Sequence, residues 1–92
     1  MRLKGKIALV TGASRGIGHA VCVALAREGA TVVGVARTKK DLDDLCKTIA
    51  ASGGSCGSFV ADVTKSGEVA AAVKDVVDKH GRVDILVNNA GM

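Results

Sequence analysis

Four short apolar runs alternate along this chain with three segments whose apolar residues recur at helical spacing, and that alternation leaves few folds open. The runs read as strands: Ile7–Thr11, Thr31–Ala36, Ser58–Ala61 and Val83–Asn88. Between the first two, Ile17, Ala20, Val21, Ala24 and Leu25 fall at i, i+3, i+4, i+7 and i+8. This predicts a helix from about Gly16 to Glu28 with one apolar face, stopped at Gly29. A second helix opens near Thr38, with Asp41 three residues on in an approximate capping box. Its face is Leu42, Leu45, Cys46, Ile49 and Ala50, and it ends at Ser52-Gly53-Gly54. Thr64 is placed to cap a third helix, whose face is Val69, Ala72, Val73, Val76 and Val77 before Gly81 stops it.

Strands separated by connections of helical length imply a parallel sheet with right-handed crossovers, hence an α/β, doubly wound architecture. The expected strand order is 3-2-1-4. On that order the chain changes direction within the sheet between strands 1 and 4, and ligands of such folds bind at the carboxyl ends beside that reversal. With 48% apolar residues and Phe59 as the single aromatic, the core must be built from Val, Ala, Ile and Leu, as in a parallel sheet covered by helices.

The link from the first strand to the first helix is Thr11-Gly12-Ala13-Ser14-Arg15-Gly16-Ile17-Gly18. Its glycines keep side chains off the loop, so phosphates can approach backbone N–H groups at a helix start, where the macrodipole also favours negative charge. The spacing is Gly-x-x-x-Gly-x-Gly. A triphosphate-binding P-loop is excluded, because no Lys-Ser or Lys-Thr follows Gly16 or Gly18. Amides of Ser14, Arg15 and Ile17, with the Ser14 hydroxyl, are the expected phosphate donors. The second strand ends in Val35-Ala36-Arg37-Thr38-Lys39-Lys40, without the carboxylate that would accept from an adenosine ribose 2′-hydroxyl and repel a 2′-phosphate. Arg37 and Arg15 are instead expected on one side of the loop, where two guanidinium groups can clamp one phosphate. The alternative for Arg37 is a solvated residue at a strand end.

Thr11 to Gly18, together with Asn88-Asn89-Ala90-Gly91 after the fourth strand, resembles the two markers of the short-chain dehydrogenase/reductase family. The 3-oxoacyl-carrier-protein reductases and small carbonyl reductases of that family are similar in pattern. The resemblance implies a Rossmann-type fold in which Gly12, Ser14, Arg15, Gly16, Ile17, Gly18 and Arg37 bind cofactor, and the basic residues Arg15 and Arg37 resemble those of its NADP-preferring members, which implies NADP(H). It also implies that Asp62 accepts from the adenine amine with Val63 near the ring, although Asp62 reads equally well as a cap of the third helix. Asn89, Ala90 and Gly91 would run beside the cofactor ribose, while Asn88 would hold the central sheet together through backbone hydrogen bonds.

In the family, hydride passes between nicotinamide and a carbonyl or alcohol, helped by a Ser and a Tyr-x-x-x-Lys. This chain has no Tyr, so no catalytic residue carries over. Residues 1–92 are therefore expected to be the NADP(H)-binding amino-terminal part of a domain whose remainder is absent, with an oxidoreductase activity and a homo-oligomeric state belonging to the full-length form. A short, non-catalytic NADP(H)-binding or strand-pairing protein is the alternative. An unpartnered fourth strand would leave an apolar edge exposed and make the isolated chain self-associating.

Net charge is +4, from 13 basic and 9 acidic residues, but without Tyr or Trp and with dispersed cations no nucleic-acid partner is expected. Apolar runs are too short for a membrane span and no signal-like segment opens the chain, so the expected location is cytoplasmic. Cys22, Cys46 and Cys56 are an odd set without metal-ligand spacing, read as free thiols. His19 and His80 sit on different helices and read as surface residues.

Overall fold

A computed structural model describes residues 2–13, 16–62 and 65–88. Seven elements follow one another: β1 (Ile7–Thr11), α1 (Gly16–Arg27), β2 (Thr31–Ala36), α2 (Lys39–Ala51), β3 (Ser55–Val60), α3 (Ser66–His80) and β4 (Ile85–Val87). The strands form one parallel sheet in the expected order, β3-β2-β1-β4. Registers are Ile7↔Thr31, Thr31↔Ser55 and Leu9↔Leu86.

One face of the sheet is closed by α1 and α2, the other by α3. Val10, Val32 and Ala36 pack with Cys22, Ala26, Leu42, Leu45 and Ile49 on the first face. Leu9, Val33 and Val35 pack with Ala72 and Val76 on the second. Burial of each large aliphatic side chain contributes about 1.5–3 kcal/mol. Gly34, in the middle of β2, lets α2 come close: a Cβ there would meet Ala13 Cβ at 3.1 Å and the methyls of Leu45 and Leu42 at 3.1 and 3.2 Å.

Several local expectations are corrected. The sheet-facing residues of α1 are Gly18, Cys22 and Ala26, whereas Ile17 is 63% exposed and Ala20 and Ala24 are exposed too. Small side chains, rather than the most apolar ones, occupy the line where this helix meets the sheet. In α3, Ala72 and Val76 are buried, but Val77 is 41% exposed. Thr38 holds the N-cap position of α2 without a side-chain cap bond, and Lys65 holds that of α3. Thr64 lies outside the described residues. β3 begins at Ser55, three residues before the expected Ser58, because its partner β2 continues to Thr31 and carries the edge strand with it. β4 is only Ile85–Val87; Val83 and Asp84 precede it.

The thiols also differ from expectation. Cys46 of α2 and Cys56 of β3 are joined by a disulfide, with Cα atoms 5.2 Å apart, and only Cys22 is free among the described residues. The helix-to-edge-strand packing brings the two sulfurs together, which the ten-residue separation alone does not reveal.

Candidate functional site

Because all four strands are parallel, their carboxyl ends lie along one edge of the sheet. Across that edge, in the order β3-β2-β1-β4, the chain presents Asp62, Arg37, Gly12 and Asn88. Adjacent strands lie about 4.8 Å apart, so these four positions span three strand spacings, roughly 14 Å.

Gly12 and Gly16, one on each side of the loop, have φ of 63° and 62°, a left-handed backbone that L side chains rarely adopt. A Cβ at Gly16 would have no neighbour within 4 Å, so this residue faces open space in front of the helix start. Ala13 turns inward, buried, and its N–H donates to the carbonyl of Val35 at 3.2 Å, tying the loop to β2. Gly18 is buried on the sheet side of α1 while Ile17 projects outward. The expected donors Ser14 and Arg15 lie outside the described residues.

Arg37 follows β2 directly, is exposed, and forms no ion pair with any described residue. Lys39, two residues on, is already bridged to Asp43 at 3.0 Å within its own helix. The guanidinium at the end of β2 is thus available to an anion, with no acidic side chain before Asp41. This part of the edge is electropositive by composition.

Asp62 follows β3 after Ala61, whose N–H donates to the Ala36 carbonyl at 2.9 Å and so continues the β2–β3 ladder. The N–H of Asp62 donates to Oε1 of Glu68 at 2.8 Å, and its carbonyl accepts from the N–H of Lys65 at 3.0 Å. Glu68, in the first turn of α3, therefore reaches back and fixes the backbone of Asp62. The N-cap position belongs to Lys65, not to Asp62. Glu68 was not singled out from the sequence; an acid in the first turn of a helix was the available signal. Val63 lies outside the described residues.

At the other end of the edge, the Thr11 hydroxyl donates toward Asn88 Oδ1 at 3.1 Å and lies 3.4 Å from the Val87 carbonyl. Thr11 is wholly buried and is the one buried polar residue among those described. Asn88 is thus joined to β1 through its side chain, besides whatever its backbone does. Asn89, Ala90 and Gly91 lie outside the described residues. His19 and His80 belong to different helices, α1 and α3. Among the described residues no group of three His, Cys, Asp or Glu side chains is placed to hold a metal ion, and no helix is long and apolar enough to cross a membrane.

A groove of about 480 Å³ lies at the opposite end of the sheet, lined by Lys4, Arg27, Gly29, Ser52, Gly53 and Ser55. The carboxyl ends of α1 and α2 point there, and their carbonyl dipoles oppose an anion; Lys4 and Arg27 offset that negative potential. The edge carrying the glycine loop has the opposite polarity, with a helix amino end and an unpaired guanidinium.

A parallel α/β sheet of this order, with a glycine loop at the start of its first helix, defines a doubly wound protein of the dinucleotide-binding type. The sequence profile of the short chain dehydrogenase family matches residues 6–92, and the chain belongs to that family. It is 45% identical over 92 residues to the 3-oxoacyl-[acyl-carrier-protein] reductase FabG of Thermotoga maritima, a match covering 100% of this chain and 37% of that protein. It is 41% identical over 93 residues to the short-chain dehydrogenase/reductase homolog YusS of Bacillus subtilis, covering 100% of this chain and 85% of YusS. Among solved structures, a metagenomic short-chain oxidoreductase in complex with NADP superposes with a TM-score of 0.94 at 44% identity, covering 100% of this chain and 42% of that one. The chain therefore spans little more than a third of the length of the reductase it matches.

Proposed function

We propose that residues 1–92 are the NADP(H)-binding part of a short-chain dehydrogenase/reductase whose full-length form transfers hydride between nicotinamide and a carbonyl or alcohol. The observation that carries this reading is the pairing of a positive-φ glycine loop on β1 with an exposed, unpaired Arg37 at the end of the neighbouring strand. The residues fit the cofactor: Gly16 faces open space where a phosphate would lie, and β2 ends in a cation rather than a carboxylate.

In this reading Gly12, Ser14, Arg15, Gly16, Ile17 and Gly18 hold the diphosphate, and Arg37 with Arg15 holds the 2′-phosphate. Asp62 and Val63 border the adenine, and Asn89, Ala90 and Gly91 the ribose. Bound nicotinamide would supply the hydride. This chain's own contribution is to bind and orient: Glu68 fixes the Asp62 backbone, and Thr11 sets the path of Asn88 into the segment that follows. No proton-transfer group is assigned, since Tyr is absent from the chain. A cytoplasmic location and a homo-oligomeric full-length form belong to the same reading.

Titration of the chain with NADPH and NADH by nucleotide fluorescence tests it. Saturable binding with preference for NADPH is the expected result; affinity for neither coenzyme removes the assignment. A second reading, a nucleotide-binding or strand-pairing role without catalysis, is favoured by Leu86, 53% exposed on edge strand β4. Sedimentation that shows a concentration-dependent dimer would support strand pairing. A clean monomer at all concentrations would count against it.

A further inference from the structure

We propose that Cys46 and Cys56 form a reversible redox cross-link that controls how firmly the edge strand β3 is held to the rest of the fold. Three observations on different elements lead there. The two sulfurs are bonded across the α2–β3 packing, with Cα atoms 5.2 Å apart, and both residues are half-buried rather than sealed in the core. β3 lies at the sheet edge, with β2 as its one strand neighbour among the described residues and with Ser55, Ser58 and Val60 exposed. The connection closed by the bond contains Ser52-Gly53-Gly54, an exposed turn in which Gly53 has a φ of +85°.

An edge strand reached through a glycine turn is among the segments that open locally without global unfolding. Opening exposes the sulfurs to exchange, and closure of a short loop by the bond restricts the opened and unfolded states. The third cysteine provides an internal contrast. Cys22 is fully buried between α1 and the sheet and is excluded from the exchange by its position.

The oxidant is a low-molecular-weight disulfide, RSSR. The thiolate of one cysteine attacks a sulfur of RSSR, forming a mixed disulfide and expelling RS⁻. The thiolate of the other then attacks the protein sulfur of the mixed disulfide, forming the Cys46–Cys56 bond and expelling the second RS⁻. Two protein thiols are oxidised, RSSR is reduced to two RSH, and the two thiol protons end on the two RSH. Excess RSH reverses both steps.

The test equilibrates the 92-residue chain in glutathione buffers from fully reduced to fully oxidised, without nucleotide, and follows linkage by alkylation and peptide mapping. Amide hydrogen exchange across 52–60 and thermal melts are recorded in the same buffers. The expected result is a Cys46–Cys56 linkage that titrates with the glutathione ratio, β3 amides at least ~10-fold slower to exchange in the oxidised chain, and a melt several degrees higher. Cys46→Ser and Cys56→Ser should show the reduced behaviour in both buffers, while Cys22→Ser keeps the redox response. Should the serine variants not fold, the wild-type exchange rates decide alone. Linkage that never forms, linkage that persists at every ratio, or β3 exchange indifferent to redox state would each overturn the proposal.

Discussion

The carboxylate of Asp84 accepts the backbone N–H of Ile7 at 2.8 Å, so the residue before β4 is bound to the first residue of β1. The reciprocal bond is also made: the Asp84 N–H donates to the Ile7 carbonyl at 2.9 Å. Arg82 completes the tie, with Nε 2.8 Å from the same carboxylate oxygen and a terminal nitrogen 2.7 Å from the carbonyl of Gly5. At the opposite end of the same strand pair, Thr11 reaches Asn88. A strand of three residues is thereby anchored by side chains both before and after its ladder.

The Arg82 guanidinium first, and the Ile7 N–H second, hold the Asp84 carboxyl below the usual carboxylate range. A depressed folded-state pKa means that the stabilisation is present above the unfolded value, about 3.9. It is lost as pH falls through the lower folded value. Urea denaturation from pH 7 downward should show wild type losing stability in that acid window, with Asp84→Asn giving a flatter profile. Parallel profiles would remove Asp84 from the account.

Thr11→Val keeps the shape of the side chain and removes the hydroxyl that joins β1 to Asn88 and Val87. Loss of about 1 kcal/mol is expected from the missing hydrogen bond, as measured by chemical denaturation.

Two glycines with open surroundings should respond in opposite directions to alanine. At Gly16 the backbone is left-handed, so Gly16→Ala costs about 1–2 kcal/mol from conformation alone and should weaken nucleotide binding. At Gly67, within α3 and with nothing within 4 Å of an added Cβ, alanine should stabilise by roughly 0.4–1 kcal/mol. Thermal melts of the two variants distinguish the cases.

Arg37→Asp exchanges a phosphate partner for a ribose acceptor. NADPH affinity should fall about 10- to 100-fold while NADH is spared or improved. An unchanged ratio of the two affinities would take Arg37 out of the site.

Burial pushes the Cys22 thiol up to about 12. Iodoacetamide should therefore leave Cys22 unlabelled in the folded chain at neutral pH and label it after denaturation, as read by mass spectrometry.

The sheet was legible because Ile7–Thr11 and Thr31–Ala36 are uninterrupted apolar runs and the connections between strands have helical length; the bounds of β1 and β2 follow directly. Most of the packed face of α2 was legible too, since Leu42, Leu45 and Ile49 are large and have no rival on that helix; Ala50, expected on the same face, is exposed. The face of α1 was not. Ranking by hydropathy favours Ile17 and Val21, but the sheet approaches along Gly18, Cys22 and Ala26, where size decides. The start of β3 is set by its partner's register, and Ser55-Cys56-Gly57 carries little strand preference of its own. At the candidate site, the expected parallel direction of the strands is enough to put Gly12, Arg37, Asp62 and Asn88 along one edge. The Glu68-to-Asp62 and Thr11-to-Asn88 bonds depend on side-chain reach across the fold, which no periodicity encodes.

The unequal cover of the two sheet faces has a consequence for how this domain breathes. With two helices and nine fully packed residues on one side, and α3 above a smaller cluster on the other, solvent has an easier way in from the α3 side. The earliest breach should therefore undock α3 and release Glu68 from Asp62, while the side of β2 that carries Val32 and Ala36, covered by α1 and α2, persists as the last ordered part of the chain.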